Sequence, residues 1–132
     1  MKLLGVFSIL FIASKAMAIE YFCPKSIDTN QVLSKTMSDW SVVTDSSNLY
    51  LSTALFTDGD PNEKVYLHPD EETDGSKSSA TWNFQDSTNV WLVCEYRSTT
   101  VKLTKKISSK LKKCTISSDA SKGVTLESIK CL

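Results

Sequence analysis

The chain carries a single histidine, His68, and none of its four cysteines forms a Cys-x-x-Cys pair. Zinc sites are built from closely spaced cysteine and histidine ligands, and thioredoxin-like redox sites need the Cys-x-x-Cys spacing. Both classes are therefore excluded. No Gly-x-Ser-x-Gly stretch is present, and His68 precedes an acidic run rather than partnering a nucleophile. Histidine-activated serine or cysteine catalysis has no local signature here. A basic excess is also lacking, since 15 lysines and arginines balance 15 aspartates and glutamates. Nothing in that balance pulls the chain toward nucleic acid or an anionic membrane. No internal repeat and no linker divides the sequence.

The one long apolar stretch stands at the start. In "MKLLGVFSILFIASKAMA", Lys2 precedes an almost unbroken apolar run from Leu3 to Ala13, and Ala16-Met17-Ala18 offers a small-x-small cleavage pattern. That layout predicts a secretory signal peptide over residues 1–18, too short in its apolar part to remain as a membrane span. Phe22 before Cys23 argues against lipid attachment there. Cleavage after Ala18 leaves one domain, residues 19–132, with 13 basic and 15 acidic residues. Its place is the periplasm, with secretion as the alternative. The charges are segregated: seven acids fall between Asp58 and Asp74, and seven bases without an acid between Arg97 and Lys113. Two solvated faces that complement each other, or a surface for a partner, would both produce this pattern.

All four cysteines lie in the exported part, and an even count in a small oxidised domain implies two disulfides. Register selects the pairing. If Lys122-Gly123 closes a two-residue turn in "CTISSDASKGVTLESIKC", Cys114 lies opposite Cys131, and Ile116 lies opposite Ile129. A shift of one residue breaks both matches. Cys114–Cys131 and, by remainder, Cys23–Cys94 are the expected bonds, each contributing roughly 2–4 kcal/mol.

Beyond residue 48 the dominant period is two. Ala80, Trp82 and Phe84 share a face; Val90, Leu92, Cys94 and Tyr96 share another; Val101 and Leu103 continue the pattern. This predicts a three-stranded meander with its apolar side inward. Cys94 then belongs to the core side of a central strand, as a staple and not a nucleophile. "NLYLSTALF" and "EKVYLH" read as two further strands around the turn "TDGDPN", and residues 69–79 as a polar loop. Residues 27–40 stay open between a short strand and a helix presenting Leu33, Met37 and Trp40. The fold class is mainly β: a disulfide-stapled antiparallel meander sheet or small barrel, with room for one short N-terminal helix.

Asp70, Glu71, Glu72 and Asp74 invite a calcium reading, but their spacing does not follow the alternating ligand pattern of an EF-hand, so no metal is assigned. A carboxylate pair for hydrolysis needs one acid buried in a cleft, which a polar loop does not provide. No catalytic residue and no cofactor is assigned. Trp82 is in phase with the core. Trp91 points the opposite way, either over a second small core or toward a partner. The outward row Trp91, Glu95 and Arg97, with Lys102 on the next strand, is the candidate partner-binding surface.

The succession Cys23-Pro24, Trp40, "DGDPNE", "YLHPDEE", Trp82-x-Phe84, "VWLVCEY", Cys114 and Cys131 resembles a family of small exported proteins of Gram-negative bacteria to which no reaction is assigned. The resemblance spans essentially the whole exported chain and implies a periplasmic, disulfide-bonded antiparallel sheet. That plan is also similar to small lysozyme inhibitors and periplasmic immunity proteins, although the Ser-Gly-x-x-Tyr loop of the C-type lysozyme inhibitors is absent. The expected function is a non-enzymatic protein-binding module, inhibitor or immunity-like, that meets a cell-wall enzyme or an incoming toxin. The alternatives are a small hydrolase using carboxylates of residues 58–74 and a structural component of the envelope.

Overall fold

The computed structural model describes residues 17–44, 48–123 and 125–132, so the expected leader lies outside them except for residues 17 and 18. Nine strands follow in chain order: β1 (Ile19–Tyr21), β2 (Ser26–Asp28), β3 (Asn48–Asp58), β4 (Asp70–Asp74), β5 (Lys77–Asn83), β6 (Val90–Tyr96), β7 (Lys102–Lys106), β8 (Lys113–Asp119) and β9 (Thr125–Cys131). They form two antiparallel sheets, ordered β1-β9-β8-β5-β4 and β2-β3-β6-β7. The mainly β class holds. The short helix does not: residues 26–28 are β2, and residues 29–44 contain neither helix nor strand. A short amphipathic turn with no surface to bury its apolar side is marginal in water.

The two sheets meet over one core. Phe56 of β3, Leu92, Cys94 and Tyr96 of β6, Trp82 of β5, Ile116 of β8 and Ile129 of β9 are all buried in it. Phe56 sits at the centre, with its ring edge-on to Trp82 at 5.1 Å and to Phe84 at 5.3 Å. The indole N–H of Trp82 donates to the Leu67 carbonyl at 2.9 Å, which gives its polar edge a partner inside the apolar layer.

The expected meander is corrected at its first connection. β5 pairs with β4 and β8, whereas β6 pairs with β3 and β7, so the two strands belong to different sheets. Their apolar rows face the same core from opposite sides. Alternation fixes which face is buried, but it does not say which strand is the neighbour. The connecting residues 84–89 turn through Gln85, which has a left-handed φ of 49°. Leu103, expected inward, pairs with Cys94 at the open edge and stays 38% exposed, and Val101 is exposed as well.

Two local expectations also change. Residues 69–79 form the β4–β5 hairpin, running from Asp70↔Thr81 to Asp74↔Lys77. Gly75 takes φ +60° at the first of its two central positions, a place where glycine is favoured in a two-residue hairpin turn. The segment "EKVYLH" is not a strand. Pro61–Glu63 form a 3-10 turn whose first amide group is held by the Asp60 side chain, which accepts from the Asn62 N–H at 2.8 Å. The chain then runs beside β3 through a single bridge, Thr57↔Tyr66.

The β8–β9 hairpin keeps the expected opposition of Cys114 with Cys131 and Ile116 with Ile129. Its closure is wider than two residues. The register slips between Ser117 and Ser118, so Asp119 faces Thr125. A 3-10 turn over Ala120–Lys122 follows, with Gly123 left-handed at φ +79°. The Asp119 carboxylate accepts from the Ser121 N–H at 2.9 Å and so caps that turn. The bulge absorbs the extra turn residues and leaves the cysteine register intact.

Cys114 is bonded to Cys131, and Cys23 to Cys94. The first bond staples neighbouring strands of the larger sheet. The second fastens the segment between β1 and β2 onto β6, and the Tyr96 hydroxyl donates to the Pro24 carbonyl at 2.9 Å beside it. Burial raises the pKa of that phenol above its ordinary value. The acidic and basic runs form edges of different sheets: β4 carries four carboxylates and β7 three lysines, and both strands are exposed along their length. Among the described residues no ion pair joins them. An edge bearing charges of one sign resists pairing with its own copy.

Candidate partner-binding site

β6 is an unusual strand because it is buried on both faces. Val90, Leu92, Cys94 and Tyr96 face the core, while on the outer side Val93 is only 1% exposed, between half-buried Trp91 and Glu95. The outer row has its own cover. Thr57, on the neighbouring strand opposite Trp91, is fully buried, and Tyr66 is bridged to Thr57 on its far side. A second, small apolar cluster therefore forms outside the sheet, around Val93.

Lysines of β7 cap this cluster. Lys102, the register partner of Glu95, donates to the Glu95 carboxylate and also to the Tyr66 hydroxyl at 3.2 Å. Its ammonium lies 5.5 Å from the centre of the Tyr66 ring. Lys106 stands 6.0 Å from the centre of the Trp91 ring. The hydrogen bond to Glu95, and after it the one to Tyr66, hold the Lys102 ammonium above its ordinary pKa. The Trp91 indole donates to Asn89 Oδ1 at 3.3 Å, which orients the ring.

Between this row and the Asp60–Tyr66 segment lies a cleft of about 490 Å³, walled by Asp60, Pro61 and Lys64 on one side and Trp91, Val93 and Lys102 on the other. The cleft offers Val93 and two aromatic edges among polar walls, with the Lys102 ammonium held in place by its own partners. Such a surface can seat a side chain or a loop of another protein. Nothing in it resembles a nucleophile with a base.

Of the four residues marked in the sequence, Trp91, Glu95 and Lys102 come together here. Arg97 does not. It lies beyond the end of β6, where its backbone N–H donates to the Tyr50 carbonyl and the residue lines a separate recess with Lys25 and Tyr50. Sequence reasoning missed Tyr66 and the Asp60–Lys64 wall. The available signal was the Asp60-Pro61 start of a capped turn, which brings the following residues back over β3.

The comparisons with known proteins bear on what this surface meets. The profile described as "Type VI secretion system Tli immunity protein" matches residues 44–132, about two thirds of the chain. The chain belongs to the Tli immunity protein family. Membership makes it an immunity-type protein-binding module. No curated protein and no solved structure gives a significant match. The matched region of this Tli family member begins just before β3 and takes in β3 to β9, including the cleft and three of the four cysteines.

Proposed function

We propose that the chain is a periplasmic immunity protein that binds and neutralises a toxic effector delivered by a type VI secretion system, and that the Trp91–Lys102 cleft contributes to the contact. The observation that carries this reading is the small outer cluster around Val93. It spends aromatic and aliphatic surface on the solvent side of a sheet that the core does not need. Export of a single domain, residues 19–132, is supported by the sequence of residues 1–18 and by two disulfides, which persist in oxidising compartments.

Carboxylate-based hydrolysis has less support. Asp70, Glu71, Glu72 and Asp74 alternate across the two faces of an exposed edge strand, whereas such chemistry needs a pair enclosed around one bond.

The test is titration calorimetry of the purified protein against a type VI effector taken from the genome that encodes it. Trp91→Ala and Lys102→Glu are expected to weaken binding tenfold or more, on the order of 1.4 kcal/mol or above. Unchanged affinity in both variants, with the fold intact by circular dichroism, refutes the role of the cleft. Absence of binding by the unaltered protein refutes the immunity reading for that effector.

A further inference from the structure

The connection between β2 and β3 has no place in the fold described so far. Residues 29–44 form neither helix nor strand. A structureless run of this length within a compact domain is uncommon and is usually either a functional segment, such as a binding loop or lid, or a linker. The run is also apolar where it is most open: Val32 is 83% exposed, Trp40 76%, Val43 87% and Met37 64%. None of its side chains is among those packed on the core.

Three further observations give the segment direction. It is tied at its base, because β2 pairs with β3 and the Gln31 side chain donates to the Ser98 carbonyl at 3.2 Å. Asp39 takes a left-handed φ of 67° immediately before Trp40. Most of the segment, residues 29–43, lies before the residues matched by the family profile, which begin at 44.

We infer that residues 29–44 are a docking arm that inserts Met37 and Trp40 into an apolar pocket of the effector. The inference rests on the immunity reading above. The occupant follows from the chemistry of the arm. Between Thr29 and Thr44 its only charges are Lys35 and Asp39, which cancel, so the complementary surface is apolar and uncharged. A lipid surface fits less well, because the segment forms no amphipathic helix and carries no cationic cluster. Exposed tryptophan and methionine are among the residues enriched at protein interfaces, and tryptophan dominates their energetics.

The experiment uses the full exported chain with Met37→Ser/Trp40→Ser, a loop change that leaves both disulfides and the core untouched. Its probe is a type VI effector taken from the genome that encodes the chain. We expect at least about thirtyfold weaker binding and loss of neutralisation, with circular dichroism and disulfide mapping unchanged. Binding within twofold of the unaltered protein overturns the inference while leaving the immunity reading standing. No binding by the unaltered protein overturns both. If the unaltered chain sediments as a dimer and the variant as a monomer, or if only the unaltered chain floats with phosphatidylglycerol vesicles, the arm serves self-association or a membrane instead, and the inference fails.

Discussion

The contact between Phe56 and Trp82 joins the two sheets, and a double-mutant cycle measures it. Phe56 comes from β3 and Trp82 from β5, with ring centroids 5.1 Å apart in an edge-to-face arrangement. Truncating either to alanine costs about 3–5 kcal/mol. Both together would approach the whole stability of a domain this size, on the order of 10 kcal/mol. Milder changes remove the ring pair and keep the protein folded: Phe56→Leu and Trp82→Leu each retain an apolar side chain, and the second removes the indole donor to Leu67. The second change also leaves a carbonyl without that donor, for a further loss of about 1 kcal/mol or more. The pair coupling should be about 0.5–1.5 kcal/mol, the range for aromatic pairs beyond their buried area. Guanidinium unfolding of the four proteins, followed by fluorescence, gives the number. A control cycle of Phe56→Leu with Thr115→Ala, on the outer face of the larger sheet, should be additive within about 0.5 kcal/mol. If the Phe56–Trp82 cycle is equally additive, the sheets are not clamped through these rings.

Two further outcomes follow from the ionic and covalent links. Lys102 has a raised folded pKa, so the stability it contributes is fully present below its ordinary pKa and is lost as pH rises through the folded value. The pair is about a third exposed, which limits it to roughly 1 kcal/mol or less. The unfolding midpoints of the native protein and Lys102→Met should therefore differ near neutrality and converge at strongly alkaline pH. Equal midpoints at neutrality would show that the link contributes nothing. In mild reductant, Cys23–Cys94 should open before Cys114–Cys131, because Cys23 is half-buried while Cys114 and Cys131 are fully enclosed. Alkylation and peptide mapping over a time course reports the order, and the reverse order contradicts it.

The parts of the fold visible in the sequence are those written in alternation. Trp82, Phe84, Leu92, Cys94 and Tyr96 were placed on core faces by their period, and all are buried. The match of Cys114 with Cys131 and Ile116 with Ile129 also read directly, because two independent residue pairs agreed on one register. Pairing partners did not read. β5 and β6 are adjacent in the chain and carry compatible faces, yet they are separated by the core itself. β4 was invisible because five polar residues on an exposed edge have no inside to alternate with. For the candidate site, Trp91, Glu95 and Lys102 were legible as an outward row. Tyr66 was not, since it reaches them through a capped turn and one isolated bridge.

The order of the crosslinks bears on how the molecule is made. Cys23 joins Cys94 and Cys114 joins Cys131, so the first cysteine meets the second and the third meets the fourth. A chain threaded through a membrane amino end first delivers its thiols in that sequence. An oxidase that couples each newly arrived pair would reach the native set without reshuffling, and of the three possible sets this is the one so reached. On the proposed export route, biogenesis calls for an oxidant at the exit of the channel and not for an isomerase.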